Sequence, residues 1–194
     1  MLQSIFPSNS FCSKINAPNK EDIFKALKSA KVDKVESRKI TWNRYCDVKV
    51  EVLYIDEISH LFYPTLEIFF KELNNISITT EFSQIWRNTY YKGGYQEIHD
   101  HSLPVDSDIS GCFFLEDYNE DAGKFYFYNR DASELNVTWR KLLMGESLGE
   151  ILSRSVAPEA GDVLLFPSYV LHGVTPHQLR QPRTTVSFNI RFKQ

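Results

Sequence analysis

Two of the five histidines in this chain, His99 and His101, stand one residue apart in the stretch "YQEIHDHSLP" at 95–104. In a strand, side chains at i and i+2 leave the same face, about 6.6 Å apart. Both rings can therefore converge on one metal ion at about 2.0–2.2 Å if the strand end lets them tilt together. Asp100 then points to the opposite face. His172, in "FPSYVLHGV", closes another apolar run and is the natural third ligand. A triad of His99, His101 and His172 would leave positions open for substrate, oxygen or water. An HxH pair alone is weak evidence, because two histidines on a strand face commonly do no more than hydrogen-bond. Further on, Arg183 opens "RTTVSFN", where strand alternation groups it with Thr185, Ser187 and Asn189. A guanidinium buried beside a metal needs an anion, and its planar fork suits a carboxylate. A dicarboxylate could reach from the metal to Arg183. Taken alone, Arg183 reads better as the partner of a surface acid. His60 reads as a surface residue and His177 as part of a turn.

These residues need elements to carry them. "KEDIFKALKSAK" at 20–31 places Ile23, Phe24, Leu27 and Ala30 at helical spacing, with Asn19 as N-cap. "DVKVEVLYI" at 47–55 alternates as a strand does. Residues 57–73 carry a second helical stripe, which Pro64 either starts or breaks. Trp86, Asn88 and Tyr90 share one strand face, read as core before substrate mouth. From residue 76 onward short apolar or alternating runs recur between turn signals: "EFSQIWRNTYY", "ISGCFFL", "KFYFYNR", "GDVLLFP" and "RTTVSFNIRF". That texture predicts a mainly β, α+β chain, with helices first and then a jelly-roll-like core they cover from outside. The expected organisation is a single domain over 1–194, with residues 1–75 as helical and strand support and 76–194 as the barrel. The insert at 131–157 is long for a barrel connection and is expected to act as a lid that helps choose the substrate.

Bulk properties narrow the function. The chain has 194 residues, enough for one core without a disulfide or structural metal. A formal net charge of −3 argues against a general nucleic-acid binder. Cys12, Cys46 and Cys112 are odd in number, far apart and form no CxxC pair, which favours a reducing compartment. The start, "MLQSIFPSNS", lacks the features of a signal peptide, and no stretch approaches the roughly 20 apolar residues of a membrane span. A cytoplasmic location is expected. Oligomeric state has no signal.

In combination, "GGYQEIHDH", "SGCFFL", "GDVLLFPSYVLH" and "RTTVSFN" resemble the iron(II)- and 2-oxoglutarate-dependent oxygenases, in particular the small members found in bacteria and marine phages. The resemblance covers about residues 82–192. It implies a double-stranded β-helix, a cupin-like jelly roll, with Fe(II) at one end. It implies His99 as first ligand, His172 as distal ligand, and Arg183 on the C5-carboxylate of 2-oxoglutarate. Ser187 and Asn189, of the same parity, would bond the cosubstrate, the substrate or the barrel itself. Most of the superfamily has His-x-Asp or His-x-Glu in the first motif; here the third position is His101. Either His101 binds, giving a neutral three-nitrogen set, or Asp106 or Asp108 supplies the acid. A tyrosine often contacts the cosubstrate from the strand after this motif, but that strand reads Cys112-Phe113-Phe114, leaving Tyr95, Tyr126 or Tyr128 from elsewhere. The implied activity is hydroxylation by dioxygen of a small-molecule or peptidyl substrate, coupled to oxidative decarboxylation of 2-oxoglutarate. The alternatives are a three-histidine jelly-roll dioxygenase that does not use 2-oxoglutarate, and a non-catalytic jelly-roll binding module.

Overall fold

The computed structural model describes residues 10–39, 47–73, 77–101, 107–129 and 152–193. Two of its strands, β5 (Ile109–Phe114) and β8 (Asp162–Pro167), are buried at every residue. Such strands need cover on both faces, which is why their sequences run apolar without alternating. They sit inside an antiparallel six-stranded sheet ordered β1-β8-β5-β10-β3-β2, whose other members are β1 (Ser13–Asn16), β2 (Lys49–Val52), β3 (Thr80–Tyr90) and β10 (Arg183–Phe192). A smaller antiparallel sheet, ordered β4-β9-β6-β7, combines β4 (Gln96–His99), β9 (His172–Val174), β6 (Phe125–Tyr128) and β7 (Ser153–Ser155). The fold is a jelly roll, mainly β.

Alternation along the larger sheet sorts its side chains into two cores. Val163, Leu165, Val186, Phe188 and Ile190 join Ile23, Leu27, Phe62 and Phe69 in one cluster on the helical side. Leu164, Phe166, Cys112, Phe114, Trp86 and Tyr90 join Phe125 and Val174 in the other, between the sheets. The helices therefore pack outside, as their apolar stripes predict. In α1 (Lys20–Ser29) the buried residues are Ile23 and Leu27. Asn19 precedes it, but its side-chain N–H donates to the Leu61 carbonyl at 2.9 Å instead of capping. The stripe at 57–73 divides into α3 (Ile55–Ile58), a 3-10 turn at Ser59–Leu61, and α4 (Tyr63–Glu72). Pro64 falls in the first turn of α4, where a missing N–H costs nothing. The short α2 (Lys34–Lys39) buries no residue and so offers no periodicity to read. No described helix is long and apolar enough to cross a membrane. Residues 130–151, most of the insert expected to form a lid, lie outside the described residues.

Gly111 on β5 pairs with Phe188 on β10, and a Cβ there would collide with the Phe188 ring. Gly111→Ala is expected to destabilise the protein by roughly 1–3 kcal/mol or more through overpacking. Urea denaturation measures this, and an unchanged midpoint would show that the ring can move aside.

Candidate functional site

Pairing between β4 and β9 sets Gln96 opposite Val174 and His99 opposite His172, so β4 spends three steps where β9 spends two. This bulge breaks the period-two rule and turns both Gln96 and His99 inward. The strand ends at His99, and His101 lies beyond it. The His101 amide donates to the Ser168 carbonyl at 2.8 Å. Its ring reaches across to the larger sheet, where Nδ1 lies 2.9 Å from both Ser110 Oγ on β5 and Asn189 Oδ1 on β10. His172 is buried against Phe125 and Phe166, with ring centroids 5.4 and 4.8 Å away. The three imidazoles meet: centroids lie 5.1 Å apart for His99–His101, 4.4 Å for His99–His172 and 4.9 Å for His101–His172. One ligating atom from each lies within 4.8 Å of the others.

The ring hydrogen bonds decide which nitrogens are available. Nδ1 of His99 donates to the Glu97 carbonyl at 2.8 Å, and Nδ1 of His172 to the Val170 carbonyl at 2.9 Å. With Nδ1 of His101 also engaged, each neutral ring keeps its lone pair on Nε2. Three convergent nitrogen lone pairs with no proton between them are a donor set for a divalent ion, and the residues present fit such an ion. Burial, reinforced by the neighbouring rings, pushes His101 down to about 4 and His172 well below the ordinary histidine value. Burial also lowers His99, against an opposing pull from the Glu97 carbonyl.

These depressed values predict how metal-free stability changes with pH. The unfolded chain takes up protons near pH 6.5 and the folded one does not, so the triad's contribution is fully present above that pH. It is lost as pH falls toward the folded values, at up to about 1.4 kcal/mol per histidine per pH unit. Urea midpoints of metal-free protein at pH 7.5 and 5.5 should differ accordingly. A flat profile would mean that the rings are more solvated than this packing implies.

Arg183 closes the other end of the same cleft, which encloses about 350 Å³ including the space open at its mouth. The residue is only 9% exposed, and its Nη1 is buried with no hydrogen-bond partner among the described residues. The guanidinium carbon lies 5.7 Å from the Tyr90 ring centroid and 5.3 Å from that of Phe114. Glu116 stands nearby with its carboxyl raised mainly by burial, and its Oε2 accepts the Thr184 N–H at 3.0 Å. Between the two ends the floor carries Thr185, Ser187 and Cys112. Asn88 donates to Ser187 Oγ at 3.0 Å, and the serine hydroxyl in turn hydrogen-bonds the Cys112 sulfur. Burial raises the Cys112 thiol, so it stays protonated.

The structure thus gathers His99, His101, His172, Arg183 and Ser187 around one cleft. Asn189 touches His101 and Ser110 instead of lining it. Asp108 faces away, its Oδ2 accepting the Phe192 N–H at 2.7 Å; Asp106 lies outside the described residues. Of the tyrosines, Tyr90 lines the cleft, whereas Tyr95 is exposed and Tyr126 and Tyr128 do not line it. Sequence reasoning assigned Tyr90 to the core and passed over Gln96. Tyr90 Oη donates to Gln96 Oε1 at 2.9 Å, and Gln96 Nε2 lies 3.4 Å from His99 Nε2. The shared face of Trp86, Asn88 and Tyr90 was the available signal for Tyr90. Nothing local marks Gln96, because the bulge that turns it inward is a property of the pairing. His60 is exposed on the 3-10 turn. His177 is buried outside the cleft: Nδ1 accepts the Gly123 N–H at 3.2 Å and Nε2 donates to the Gln181 carbonyl at 2.6 Å. Its backbone accepts from Gly93 at 2.7 Å and donates to Gly94 at 2.8 Å.

Residues 84–189 match the model of a family described as "Putative 2OG-Fe(II) oxygenase". No curated protein matches the sequence. Among solved structures, the viral collagen prolyl hydroxylase of Paramecium Bursaria Chlorella virus-1, in complex with 2OG, is similar at a TM-score of 0.58 and 12% identity, over 94% of this chain and 96% of that one. A Pseudomonas putida prolyl-4-hydroxylase is similar at a TM-score of 0.59 and 15% identity, over 94% and 93%. HygX from Streptomyces hygroscopicus, with nickel and 2-oxoglutarate bound, is similar at a TM-score of 0.59 and 13% identity, over 94% and 83%. At these identities the likeness is one of fold.

Proposed function

The chain belongs to the 2OG-Fe(II) oxygenases, enzymes that use Fe(II) and 2-oxoglutarate, and on that premise we propose that it is a hydroxylase whose iron is held by His99, His101 and His172. An iron ion bound there with 2-oxoglutarate and dioxygen would supply the oxidative decarboxylation to succinate and carbon dioxide and the oxidation of a substrate C–H bond. The protein's own part is to bind, orient and exclude water. Each Nδ1–H bond turns its Nε2 inward. Arg183 grips the C5-carboxylate at the far end of the cleft, and Ser187 turns its hydroxyl to donate a hydrogen bond to the cosubstrate. Phe125 and Phe166 keep water from the His172 side. The substrate is a small molecule or a peptidyl group.

The observation that carries this reading is the buried Nη1 of Arg183, which has no hydrogen-bond partner among the described residues, in the cleft that holds the three histidines. Glu116 acts on the guanidinium electrostatically but does not satisfy the buried Nη1, which is costly, and a keto diacid bound to the metal would bring a carboxylate to it. That observation also weighs against a three-histidine dioxygenase without 2-oxoglutarate, which has no use for a carboxylate grip. Anaerobic titration tests both. Fe(II) and 2-oxoglutarate together should give a weak visible charge-transfer band that neither gives alone, and should raise the melting temperature. A spectrum and melting temperature indifferent to 2-oxoglutarate would overturn the proposal.

A further inference from the structure

We propose that Asn189, supported by Ser110 and Ser168, is a positioning residue that locks His101 in the tautomer able to bind metal. This rests on the reading of His101 as a ligand. The three polar residues are almost wholly buried, at 2%, 1% and 1% exposure. Such groups in a core demand full pairing. Asn189 Oδ1 lies 2.9 Å from His101 Nδ1 and accepts Ser110 Oγ–H at 3.0 Å. A carbonyl oxygen cannot donate, so the proton between it and the ring must belong to Nδ1. The lone pair is then on Nε2, facing the other two histidines.

A line of hydroxyls backs this arrangement. Ser107 Oγ is 2.7 Å from Ser168 Oγ, which is 2.9 Å from Ser110 Oγ. When Ser107 shares its proton between Ser168 Oγ at 2.7 Å and the Ile109 carbonyl at 3.3 Å, Ser168 donates to Ser110 and Ser110 to Asn189, every hydroxyl gives one proton and the line ends on Oδ1. Each bond polarises the next. Ser168 also holds the His101 backbone through its carbonyl at 2.8 Å. The device is long-range: β5, β8 and β10 belong to the larger sheet, and the pair of histidines enters from the smaller one. Asn189 and Ser110 hold across the gap a ring that its own strand no longer orients.

Both partners of the His101 Nδ1 are neutral. The carboxylate absent from the third motif position is therefore not restored through this bond, and the ring acts as an ordinary neutral imidazole. This sets the direction of the test. Metal-stripped protein is titrated anaerobically with Co(II), followed by its visible bands, and melting is measured without metal. Asn189→Leu keeps the volume and removes the acceptor; Co(II) affinity should fall 10- to 100-fold. Asn189→Asp keeps an acceptor oxygen and should bind Co(II) at least as tightly as wild type. Ser110→Ala should lose roughly three- to tenfold, and it decides the matter if Asn189→Leu does not fold. Equal weakening by Leu and Asp, or lower melting temperatures with unchanged Co(II) affinity in the Leu and Ala variants, would reduce Asn189 to a packing role and overturn the proposal. Wild-type protein that binds no Co(II), or a His172→Ala variant that binds it as tightly as wild type, would instead refute the iron site itself.

Discussion

Arg183→Met is expected to abolish the protein's response to 2-oxoglutarate while leaving the metal-free chain as stable as before, or more so. The two halves of this result have one cause. In the absence of cosubstrate the guanidinium is buried with no hydrogen-bond partner for Nη1 among the described residues, and the faces of Tyr90 and Phe114, with the Glu116 charge nearby, offset the lost hydration in part. An apolar side chain of similar volume removes that cost. With cosubstrate present, the same replacement leaves a carboxylate buried without its partner, worth about 3–5 kcal/mol, or roughly a hundred- to several-thousand-fold in affinity. Arg183→Lys should fall between, because an ammonium lacks the fork. Melting curves with Co(II), with and without 2-oxoglutarate, read both halves. A preserved 2-oxoglutarate shift in the methionine variant would mean that the diacid is anchored elsewhere.

His101→Ala is expected to cost at least ~10³-fold in 2-oxoglutarate turnover, whereas Asp108→Ala costs stability alone. Removing one of three nitrogens leaves two, and a hydroxyl or water must take the third place. Asp108 spends its Oδ2 on the Phe192 N–H, so its loss should cost about 0.5–1.5 kcal/mol of stability and leave metal affinity alone. Side-by-side Co(II) titration and succinate assay of the two variants decide between His101 and Asp108 for the middle position. Turnover retained by His101→Ala and lost by Asp108→Ala would reverse the assignment.

The legible parts of this molecule are those whose cause is local. The stripes of α1 and α4 announce their buried faces, and the unbroken apolar runs of β5 and β8 announce strands covered on both sides. Arg183 could be found because it opens β10 as its alternation predicts; His172 was found from the apolar run before it, although it opens β9 instead of closing a strand. Gln96 and Tyr90 were harder for a physical reason. A bulge in pairing with β9 sets which side of β4 faces the cleft, and no residue type in "YQEIH" encodes it. Asn189 shows the same limit from the other side: its parity with Arg183 is right, yet a histidine from the opposite sheet reaches it before the cleft does. Within the 57–73 stripe, Pro64 marks the start of α4, whereas the separate turn at Ser59–Leu61 has no residue signal of its own.

His177 is a histidine that the fold itself consumes. One nitrogen accepts from Gly123 and the other donates to Gln181, while its peptide group is stitched to Gly93 and Gly94. Only one tautomer of a neutral ring can satisfy both partners. Loops that follow β3, precede β6 and precede β10 therefore share a single hub near the guanidinium end. A substitution in any one of them that displaces the His177 ring or peptide would withdraw a hydrogen bond from the other two.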